Sequence, residues 1–290
     1  MPAQTAPCPV HVSHGSASSR SLELSLFHVT EARFAPHAVL PPHTHPRPIC
    51  AIMLAGSFAT AIGRRSVDCV PSTVWTEPCE ETHRNQAGGR GAHVLVMQPD
   101  PTRVDVMQPL DGFLGRVNDV ARSGMVSDAR RVLLDMRAAD ALAALSIEAL
   151  LMDMLVRAAR LTAARERSGA PPAWLLAARD YVHAEFRRGP RLEDVARAVS
   201  VRPGELASAF RRQYGTSIGR YARDVRFEWS VEQLRRTDHP IAALAVSAGF
   251  ADQSHFTREC TARLGITPAR LRRRLRASDP AGDRNGSSRR

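Results

Sequence analysis

The chain has 290 residues, enough for two ordinary domains, and its 43% hydrophobic content is typical of a globular protein. The formal net charge is +11, and all 40 basic residues are arginine. Five cysteines without a CxxC spacing argue against a secreted disulfide framework, and no run approaches the roughly 18 apolar residues of a membrane span. We therefore expect a cytoplasmic protein with no membrane partner.

The excess of positive charge lies in the C-terminal half. Residues 1–170 carry 17 arginines against 16 acidic residues, whereas residues 171–290 carry 23 against 13. A local excess of this kind indicates a polyanionic partner, although arginines on solvated helix faces give the same count. The count alone leaves both explanations open.

The first part of the chain has the pattern of a β-domain. Residues 1–20 contain no apolar segment of the kind found in signal peptides, and we expect a disordered tail there. From residue 21 onwards, short apolar runs are separated by clusters of proline and glycine, which is typical of β-strands. We predict a small β-barrel or sandwich over 21–110.

The hydrophobic pattern then takes a helical period, and we predict a helical segment over 111–168. Five of its apolar residues lie near heptad spacing: Leu142, Leu145, Ala149, Met152 and Val156. Such a stripe suits a dimerisation helix. Because apolar residues surround nearly the whole helix, it equally suits a helix that covers the barrel. The sequence RERSGAPPAW next predicts a linker over 169–173.

Residues 174–276 have a helical pattern, and 277–290 form a polar tail that we expect to be disordered. Two segments of the helical part repeat one plan: a short helix, a tight turn, a second helix and a closing glycine. The first is RLEDVARAVSVRPGELASAFRRQYG, which ends at Gly215, and the second is HPIAALAVSAGFADQSHFTRECTARLG, which ends at Gly265. Ser217 is a candidate N-cap for a longer helix between them. The pattern predicts two helix-turn-helix units joined by one helix.

Residues 174–274 resemble the DNA-binding domain of the AraC/XylS family of transcription regulators. The resemblance rests on YGTSIGRYARDVRFEW between the two units and, most specifically, on GFADQSHFTRE followed by ITP. It implies that the second helix of each unit enters the major groove of double-stranded promoter DNA, the two lying about one turn apart on one face of the duplex. It also implies a homodimer, a small-molecule effector and a contact with RNA polymerase.

The resemblance assigns the outer faces of these second helices to DNA. The candidate base-reading residues are, in the second unit, Gln253, Ser254, His255 and Arg258 and, in the first, Ala207 and Ser208. The candidate phosphate contacts are Arg211, Arg212, Arg223 and Arg226. The first unit is poorer in long hydrogen-bond donors, so we expect fewer hydrogen bonds to bases there. Direct reading and positioning on the DNA backbone are both open for that unit.

Residues 35–98 resemble, more loosely, the cupin-like sensor barrel of the same family. His43, His45 and Gly56 fit the first cupin signature, but Ile49 stands where the family has an acidic ligand. His83 fits the second signature. The resemblance therefore implies a metal site in the barrel from which one ligand is missing.

The candidate metal ligands are His43, His45, Glu81 and His83. Three imidazoles with one carboxylate suit a divalent transition metal such as Zn, Ni or Fe. The same histidines could equally be exposed or hydrogen-bonded residues that hold no metal. Alternative soft ligands or redox partners are Cys50, Cys69 and Cys79, although small buried thiols are commoner.

These observations predict an α+β protein of two domains, with an N-terminal cupin-like β-barrel followed by helices and a C-terminal all-α domain with two helix-turn-helix units. The expected function is a sequence-specific DNA-binding transcription regulator, not an enzyme, whose barrel senses a small molecule or a metal. A metal-dependent cupin enzyme fused to a DNA-binding module is the alternative.

Overall fold

The computed structural model describes residues 17–63, 65–100, 102–121, 124–138, 140–168 and 171–276. The chain divides into two compact parts, Met1–Gly169 and Ala170–Arg290, which we call the sheet domain and the helical domain. The division falls in the segment where the sequence predicts a linker. The tail expected over 277–290, and that over 1–20 apart from its last residues, lie outside the described residues.

Within its described residues, the sheet domain contains one antiparallel sheet of eight strands. The strands are β1 (Ala17–Glu23), β2 (Phe27–Phe34), β3 (Val39–His43), β4 (Ile49–Ile62), β5 (Arg65–Cys69), β6 (Thr73–Glu77), β7 (His83–Pro99) and β8 (Asn118–Ala121). Their order is β1-β2-β7-β4-β6-β8, with β3 paired to β7 and β5 paired to β4. The long strands β4 and β7 therefore hold the sheet together.

Both faces of this sheet are apolar, because β4 is buried on both sides. Side chains alternate along a strand, so Cys50, Ile52 and Leu54 of β4 lie in one hydrophobic cluster while Ala51 and Met53 lie in another. The first cluster also contains residues of the helices that follow, and the second contains only residues of the strands and their connections. The helices thus cover one face of the sheet, and the other face encloses the residues discussed below as a metal centre.

Two expected boundaries of the sheet domain are wrong. Residues 17–20 were expected in a disordered tail but lie in β1, which pairs with β2 through backbone hydrogen bonds. Most side chains of β1 are polar, so its sequence shows no apolar pattern. Residues 118–121 were expected in a helical segment but form β8, which pairs with the edge of β6. Four residues are too few to show a period, and the free edge of the sheet decides their conformation.

The helices of the sheet domain are α1 (Val104–Met107), α2 (Asp111–Leu114) after a 3₁₀ turn (Gln108–Leu110), α3 (Gly124–Asp135) and α4 (Ala143–Ser168). The face of α4 that packs on the sheet domain consists of Ile147, Leu151, Met154, Leu155 and Ala158. Of the stripe singled out in the sequence, Leu142 and Leu145 at the start of the helix are 69% and 65% exposed, whereas Met152 packs against the same core. The helix therefore covers the sheet, and the exposed part of the stripe is its N-terminal end.

The helical domain contains α5 (Ala173–Glu185), a 3₁₀ turn (Phe186–Arg188), α6 (Leu192–Ala198), α7 (Pro203–Tyr214), α8 (Ile218–Arg236), α9 (Ile241–Ala248), α10 (Gln253–Leu264) and α11 (Pro268–Arg276). The hydroxyl of Ser217 accepts a hydrogen bond from the Arg220 N–H and caps α8, as the sequence predicts. Asp252 caps α10 by accepting from the His255 N–H at 2.7 Å. Together these elements confirm the predicted two-domain α+β architecture, in which an antiparallel sheet precedes an all-helical domain.

Among the described helices, none combines the length and the hydrophobicity needed to cross a lipid bilayer.

Candidate DNA interface and candidate metal centre

The two helix-turn-helix units have the same backbone plan. In the first, α6 is followed by α7, and in the second, α9 is followed by α10, and α7 and α10 each contain 12 residues. They end at Gly215 and Gly265, whose φ angles of 66° and 69° lie in the left-handed region that glycine adopts at least cost. The two units can therefore be compared position by position.

The exposed face of α10 carries long hydrogen-bonding side chains. Gln253 is the first residue of the helix, and it is exposed together with Ser254 and Arg258. His255 is half-buried, and its ring lies edge-on to that of Phe250 with the centroids 5.3 Å apart. Amide and guanidinium groups at the start of a recognition helix are the groups that read base edges in the major groove. The structure thus brings all four residues predicted for this unit to one end of α10.

The matching face of α7 is chemically poorer. The residues at the four equivalent positions are Pro203, Gly204, Glu205 and Ser208. Ser208 is exposed, whereas Ala207 is half-buried. Ala207 is equivalent to Thr257, whose hydroxyl donates back to the Gln253 carbonyl at 2.8 Å. The backbone of α7 is suited to a groove, but its side chains offer few donors to bases.

Three of the four candidate phosphate contacts are exposed: Arg211, Arg212 and Arg223. Arg226 is placed differently. Its Nη2 donates to the Phe186 carbonyl at 2.9 Å, and its guanidinium lies 5.7 Å from the ring centroid of Phe250. Because these contacts lie inside the helical domain, we assign Arg226 to packing and not to phosphate.

A buried ion pair that sequence reasoning missed holds α10 against α8. Nη1 of Arg263 donates to the Asp224 carboxylate at 2.7 Å, its Nε donates to Glu259 at 2.6 Å, and its guanidinium lies 4.8 Å from the Phe227 centroid. Burial opposes the charge of this guanidinium, but the two carboxylates raise the pKa of Arg263. An acid in the middle of α8 and an arginine near the end of α10 show no local pattern, since only the folded structure brings them together.

In the sheet domain, His45, Glu77 and His83 form a buried cluster whose potential ligand atoms all lie within 4.8 Å of one another. Oε2 of Glu77 is 3.5 Å from Nε2 of His45 and 3.3 Å from Nε2 of His83. Glu77 ends β6, His83 begins β7, and His45 follows β3. Three separate connections of the sheet therefore deliver one ligand atom each to the same point.

The second oxygen of Glu77 is held by three donors. Oε1 accepts from the Thr60 hydroxyl at 3.0 Å, from the Trp75 indole N–H at 3.0 Å and from the Asn85 amide at 3.2 Å. Oε2 is left to face the imidazoles. Burial alone would raise the pKa of Glu77, but the two imidazoles and the Trp75 N–H lower it to about 2. The carboxylate is therefore ionised at neutral pH.

The two imidazoles of the cluster are oriented for metal binding. Nδ1 of His45 lies 2.6 Å from the Arg47 carbonyl, and Nδ1 of His83 lies 2.9 Å from the Glu81 carbonyl. A carbonyl only accepts, so each Nδ1 donates its proton there and each ring directs its Nε2 towards Glu77. A protonated Nε2 holds the carboxylate, and an unprotonated Nε2 offers its lone pair to a metal. Both Nε2 atoms are buried and lack a hydrogen-bond partner. Burial lowers the pKa of His83 although the charge of Glu77 opposes this shift, and so favours an unprotonated Nε2.

The predicted ligand set is therefore partly corrected. His45 and His83 lie in the cluster. The His43 ring lies 4.3 Å from that of His83, centroid to centroid and tilted by 57°, and its Nδ1 donates to the Pro41 carbonyl. Glu81 was predicted as the carboxylate, but its side chain is exposed and it contributes only its backbone carbonyl. The structure places Glu77 with the histidines instead.

Glu77 also explains the missing acid. In the register of β4 and β6, Glu77 lies directly opposite Ile49, the position at which the cupin signature has its carboxylate. Cross-strand neighbours have Cβ atoms roughly 5 Å apart, so a carboxylate from either strand reaches the same space. Sequence reasoning missed Glu77 because the register, and not the spacing along the chain, places it there.

The cysteines do not take part in the cluster. Cys50, Cys69 and Cys260 are buried free thiols, and Cys79 is exposed. Burial raises the pKa of Cys50 and of Cys260 to about 12, so both remain protonated and unreactive at neutral pH. Cys260 lies in the core of α10 beside Phe256 and Leu264.

Comparison with known proteins supports the helical domain most directly. A model of the helix-turn-helix domain family matches residues 195–274. The chain is 36% identical over 70 residues to the transcriptional activator RhaR of Yersinia pseudotuberculosis, covering 24% of each protein. It is 27% identical over 96 residues to the HTH-type transcriptional regulator YtdP of Bacillus subtilis, covering 33% of this chain and 12% of that protein. Residues 195–274 thus belong to a helix-turn-helix domain family, and the chain spans a quarter or less of these relatives.

Two solved structures show partial similarity. An AraC-type transcriptional regulator of Chromobacterium violaceum is 23% identical, with 37% of this chain and 94% of that chain covered and a TM-score of 0.35. A variant of Bacillus subtilis oxalate decarboxylase is 23% identical, with 31% of this chain and 27% of that chain covered and a TM-score of 0.29. At these TM-scores neither adds to the fold assignment, which rests on the strand pairing and helix order above.

Proposed function

We propose that this protein is a sequence-specific DNA-binding transcription regulator that inserts α7 and α10 into successive major-groove segments on one face of a duplex. The observation that carries the proposal is the pair of matched helix-turn-helix units, one of which exposes Gln253 and Arg258 at the start of its second helix. The arginine excess of residues 171–290 supplies the attraction to phosphate.

The two units have unequal tasks in this proposal. α10 reads bases through Gln253, Ser254, His255 and Arg258, and α7 holds the DNA backbone with the help of Arg211 and Arg212. Ala207 and Ser208 add at most short contacts to bases, since neither side chain is long enough for a bidentate hydrogen bond. The support is that α7 and α10 have the same length and the same glycine end but expose different side chains.

We further propose that the sheet domain senses a divalent transition metal at His45, Glu77 and His83, with His43 able to join from beside His83. The support is a buried carboxylate facing two imidazole Nε2 atoms that lack another hydrogen-bond partner, a donor set that a cation binds when the Nε2 protons are released. Two or three imidazoles with one carboxylate suit Zn, Ni or Fe. A metal bound here would neutralise the buried charge of Glu77 and fix the ends of β3, β6 and β7.

A chain of hydrogen bonds supports a route from this site to the end of α4. Thr76, next to Glu77, donates to the Arg116 carbonyl at 2.6 Å and accepts from the N–H and side-chain amide of Asn118 at 3.0 Å. The side chain of Arg116 pairs with Glu166 of α4 at 3.3 Å. Since α4 ends just before the helical domain, metal occupancy would act on the connection to the DNA-binding domain.

The exposed start of the stripe supports a homodimer. Leu142, just before α4, and Leu145 in its first turn are exposed, while Met152 further along packs on the core. Exposed leucines spaced along one side of a helix suit pairing with those of a second chain. Two copies would present four helix-turn-helix units to DNA, which fits regulators that bind repeated half-sites.

The regulatory function is tested by mapping the duplex DNA bound by the full chain in cells of its source and comparing transcripts with those of a deletion strain. We expect discrete bound promoters whose neighbouring transcripts change when the gene is deleted. Binding spread evenly over the chromosome, with no transcript change near bound sites, would refute the proposal.

The metal cluster also favours a second candidate, a metal-dependent enzyme joined to a DNA-binding domain. Metal analysis of purified protein, with turnover assays on small carboxylic acids and other cupin-type substrates, separates the two. Metal-dependent turnover that His45→Ala and His83→Ala both abolish supports the enzyme. A metal that changes DNA affinity without any turnover supports the sensor.

A further inference from the structure

A small joint connects the second helix-turn-helix unit to the segment that precedes the first. It consists of Phe186 and Arg187 of the 3₁₀ turn after α5, Arg226 of α8, and Gly249 and Phe250 of the turn between α9 and α10. We call these five residues the joint. They come from three separate parts of the helical domain, and none of them lies on the exposed faces of α7 or α10.

Arg226 is the central residue of the joint. Its Nη2 donates to the Phe186 carbonyl at 2.9 Å, and its guanidinium lies over the Phe250 ring with 5.7 Å to the centroid. One side chain thus contacts the 3₁₀ turn and the second unit at once, while its own backbone belongs to α8. Burial, and then the charge of Arg223, lowers the pKa of Arg226, as expected for a guanidinium withdrawn from water.

Gly249 closes the joint from the other side. Its φ of 91° is left-handed, and a Cβ atom placed on it would lie 2.1 Å from the Arg187 carbonyl oxygen. The turn of the second unit therefore lies directly on the backbone of the 3₁₀ turn. The Arg187 guanidinium in turn lies 4.6 Å from the ring centroid of Trp229 in α8, so the 3₁₀ turn is fixed to α8 as well.

Phe250 links the joint to α10, the proposed base-reading helix. Its ring lies 5.0 Å from that of Phe256 in the core of α10 and edge-on to His255 at 5.3 Å. A displacement of Phe250 would therefore rotate or shift the residues that face DNA. α5, which ends at the 3₁₀ turn, packs against α6 and α7 of the first unit.

We infer that Arg226 is a positioning residue, which sets the orientation of α10 relative to the first helix-turn-helix unit and thereby the spacing of the two groove contacts on DNA. The inference rests on the proposed function and deepens it. Arg226 acts through Phe186 and Phe250 and does not touch DNA. The binding step involves no covalent chemistry, so the effect is on geometry alone.

The test uses the full chain and a duplex enriched from a random pool by the wild-type protein. Derivatives of this duplex have one base pair added or removed between the two contacted segments, which turns one contact by about a tenth of a helical turn. Affinities and salt dependence are measured for wild type, Arg226→Ala, Gly249→Ala and Arg211→Ala, and thermal unfolding is recorded for each.

We expect wild type to bind the altered spacings at least about 10-fold more weakly, since two helices at a fixed separation cannot both sit in the shifted groove segments. Arg226→Ala and Gly249→Ala should both reduce this penalty to about 3-fold or less while the salt dependence stays that of wild type. Arg211→Ala should keep the spacing penalty and lower the slope of log affinity against log salt by about 1. Arg226→Lys, measured alongside, keeps the charge but not the planar donor, so it separates geometry from charge even if Arg226→Ala or Gly249→Ala unfolds.

The inference is overturned if Gly249→Ala and a folded Arg226→Ala keep the full spacing penalty, or if Arg226→Ala lowers the salt slope as Arg211→Ala does. A wild-type protein that enriches no sequence at all would instead overturn the proposed regulatory function, on which the joint depends.

Discussion

The two candidate sites of this protein hold their polar groups in opposite ways. In the sheet domain the ionisable groups of the candidate metal centre, such as Glu77 and His83, are buried between strands, as is the pair of Glu31 and His93. In the helical domain the corresponding groups, Gln253 and Arg258, stand in solvent at the start of a helix. Buried groups depend on each other for hydrogen bonds and charge, whereas exposed groups depend on a partner.

This difference predicts how each domain responds to change. A substitution among buried polar groups alters stability, pKa and metal affinity together, because the remaining partners stay in the interior. A substitution on the exposed face of α10 alters DNA binding and leaves the fold intact. The following experiments test this contrast, beginning with the largest expected effect.

Replacing Glu77 by Gln should remove the charged ligand of the candidate metal centre. We expect the affinity for Zn²⁺ to fall by at least about 100-fold, since changes to residues that only support the ligands already cost roughly 10–100-fold. Glu81→Gln is the matched control, because it alters the exposed carboxylate four residues away and should leave affinity unchanged. Titration of both variants with Zn²⁺ against a chelator provides the comparison, and equal losses would contradict the assignment of Glu77.

The buried pair of Glu31 and His93 should make the sheet domain sensitive to acid. Burial lowers the pKa of His93 to about 4, and the His93 ring with Arg137 and Arg33 holds the pKa of Glu31 well below its usual range despite burial. The unfolded chain binds protons at His93 below about pH 6.5 and at Glu31 below about pH 4.5, whereas the folded domain does not. Stability is therefore lost as pH falls through both ranges.

We expect the free energy of unfolding of the sheet domain to fall by on the order of 2–3 kcal/mol between about pH 7 and pH 4 from His93 alone. His93→Gln keeps a donor for Glu31 but cannot titrate, so its stability should change less over this range. Hydrogen exchange of amides in β2 and β7 across the same pH range measures the effect. An identical pH profile for wild type and variant would exclude His93 as its source.

On the exposed side of the contrast, Arg258→Ala should weaken specific DNA binding by about 1–3 kcal/mol and relax preference at one base pair. Ser208→Ala, at the equivalent position of α7, should change affinity by less than about 0.5 kcal/mol. Neither change should move the unfolding temperature appreciably. Fluorescence anisotropy on specific and random duplexes gives both values, and an equal loss on the two duplexes would show that Arg258 contacts phosphate.

The smallest expected effect concerns the phosphate contacts. Replacing the exposed Arg211 by Gln should weaken binding uniformly across sequences and reduce the salt slope by about 1. The sequence preference should stay that of wild type. Binding measured at several salt concentrations on two unrelated sites distinguishes this result from a base-reading role.

The exposed features could be predicted from the sequence because they follow local patterns. The helical period, Gly215, Gly265 and Ser217 fix the helices and their ends, and the residues of α10 that face solvent follow from the period alone. The repeat of the two units adds support, since one pattern seen twice is harder to produce by chance.

The buried features could not be predicted in full, because they depend on register and tertiary contact. Glu77 reaches the histidines only through the pairing of β6 with β4, and Glu81 was the better candidate by spacing. Arg226 is one of many arginines in the sequence, and only its contacts with Phe186 and Phe250 separate it from those that are exposed. β8 was missed because the edge of β6 decides its conformation.

The most direct test of the central claim is selection of duplex DNA from a random pool by the purified full chain, followed by sequencing. We predict an enriched site with two conserved segments about one helical turn apart, of which the segment read by α10 is the more strongly conserved and changes with Arg258→Ala. No enrichment would contradict a sequence-specific regulator. Equal conservation of both segments, unaffected by Arg258→Ala, would contradict the unequal roles of the two units.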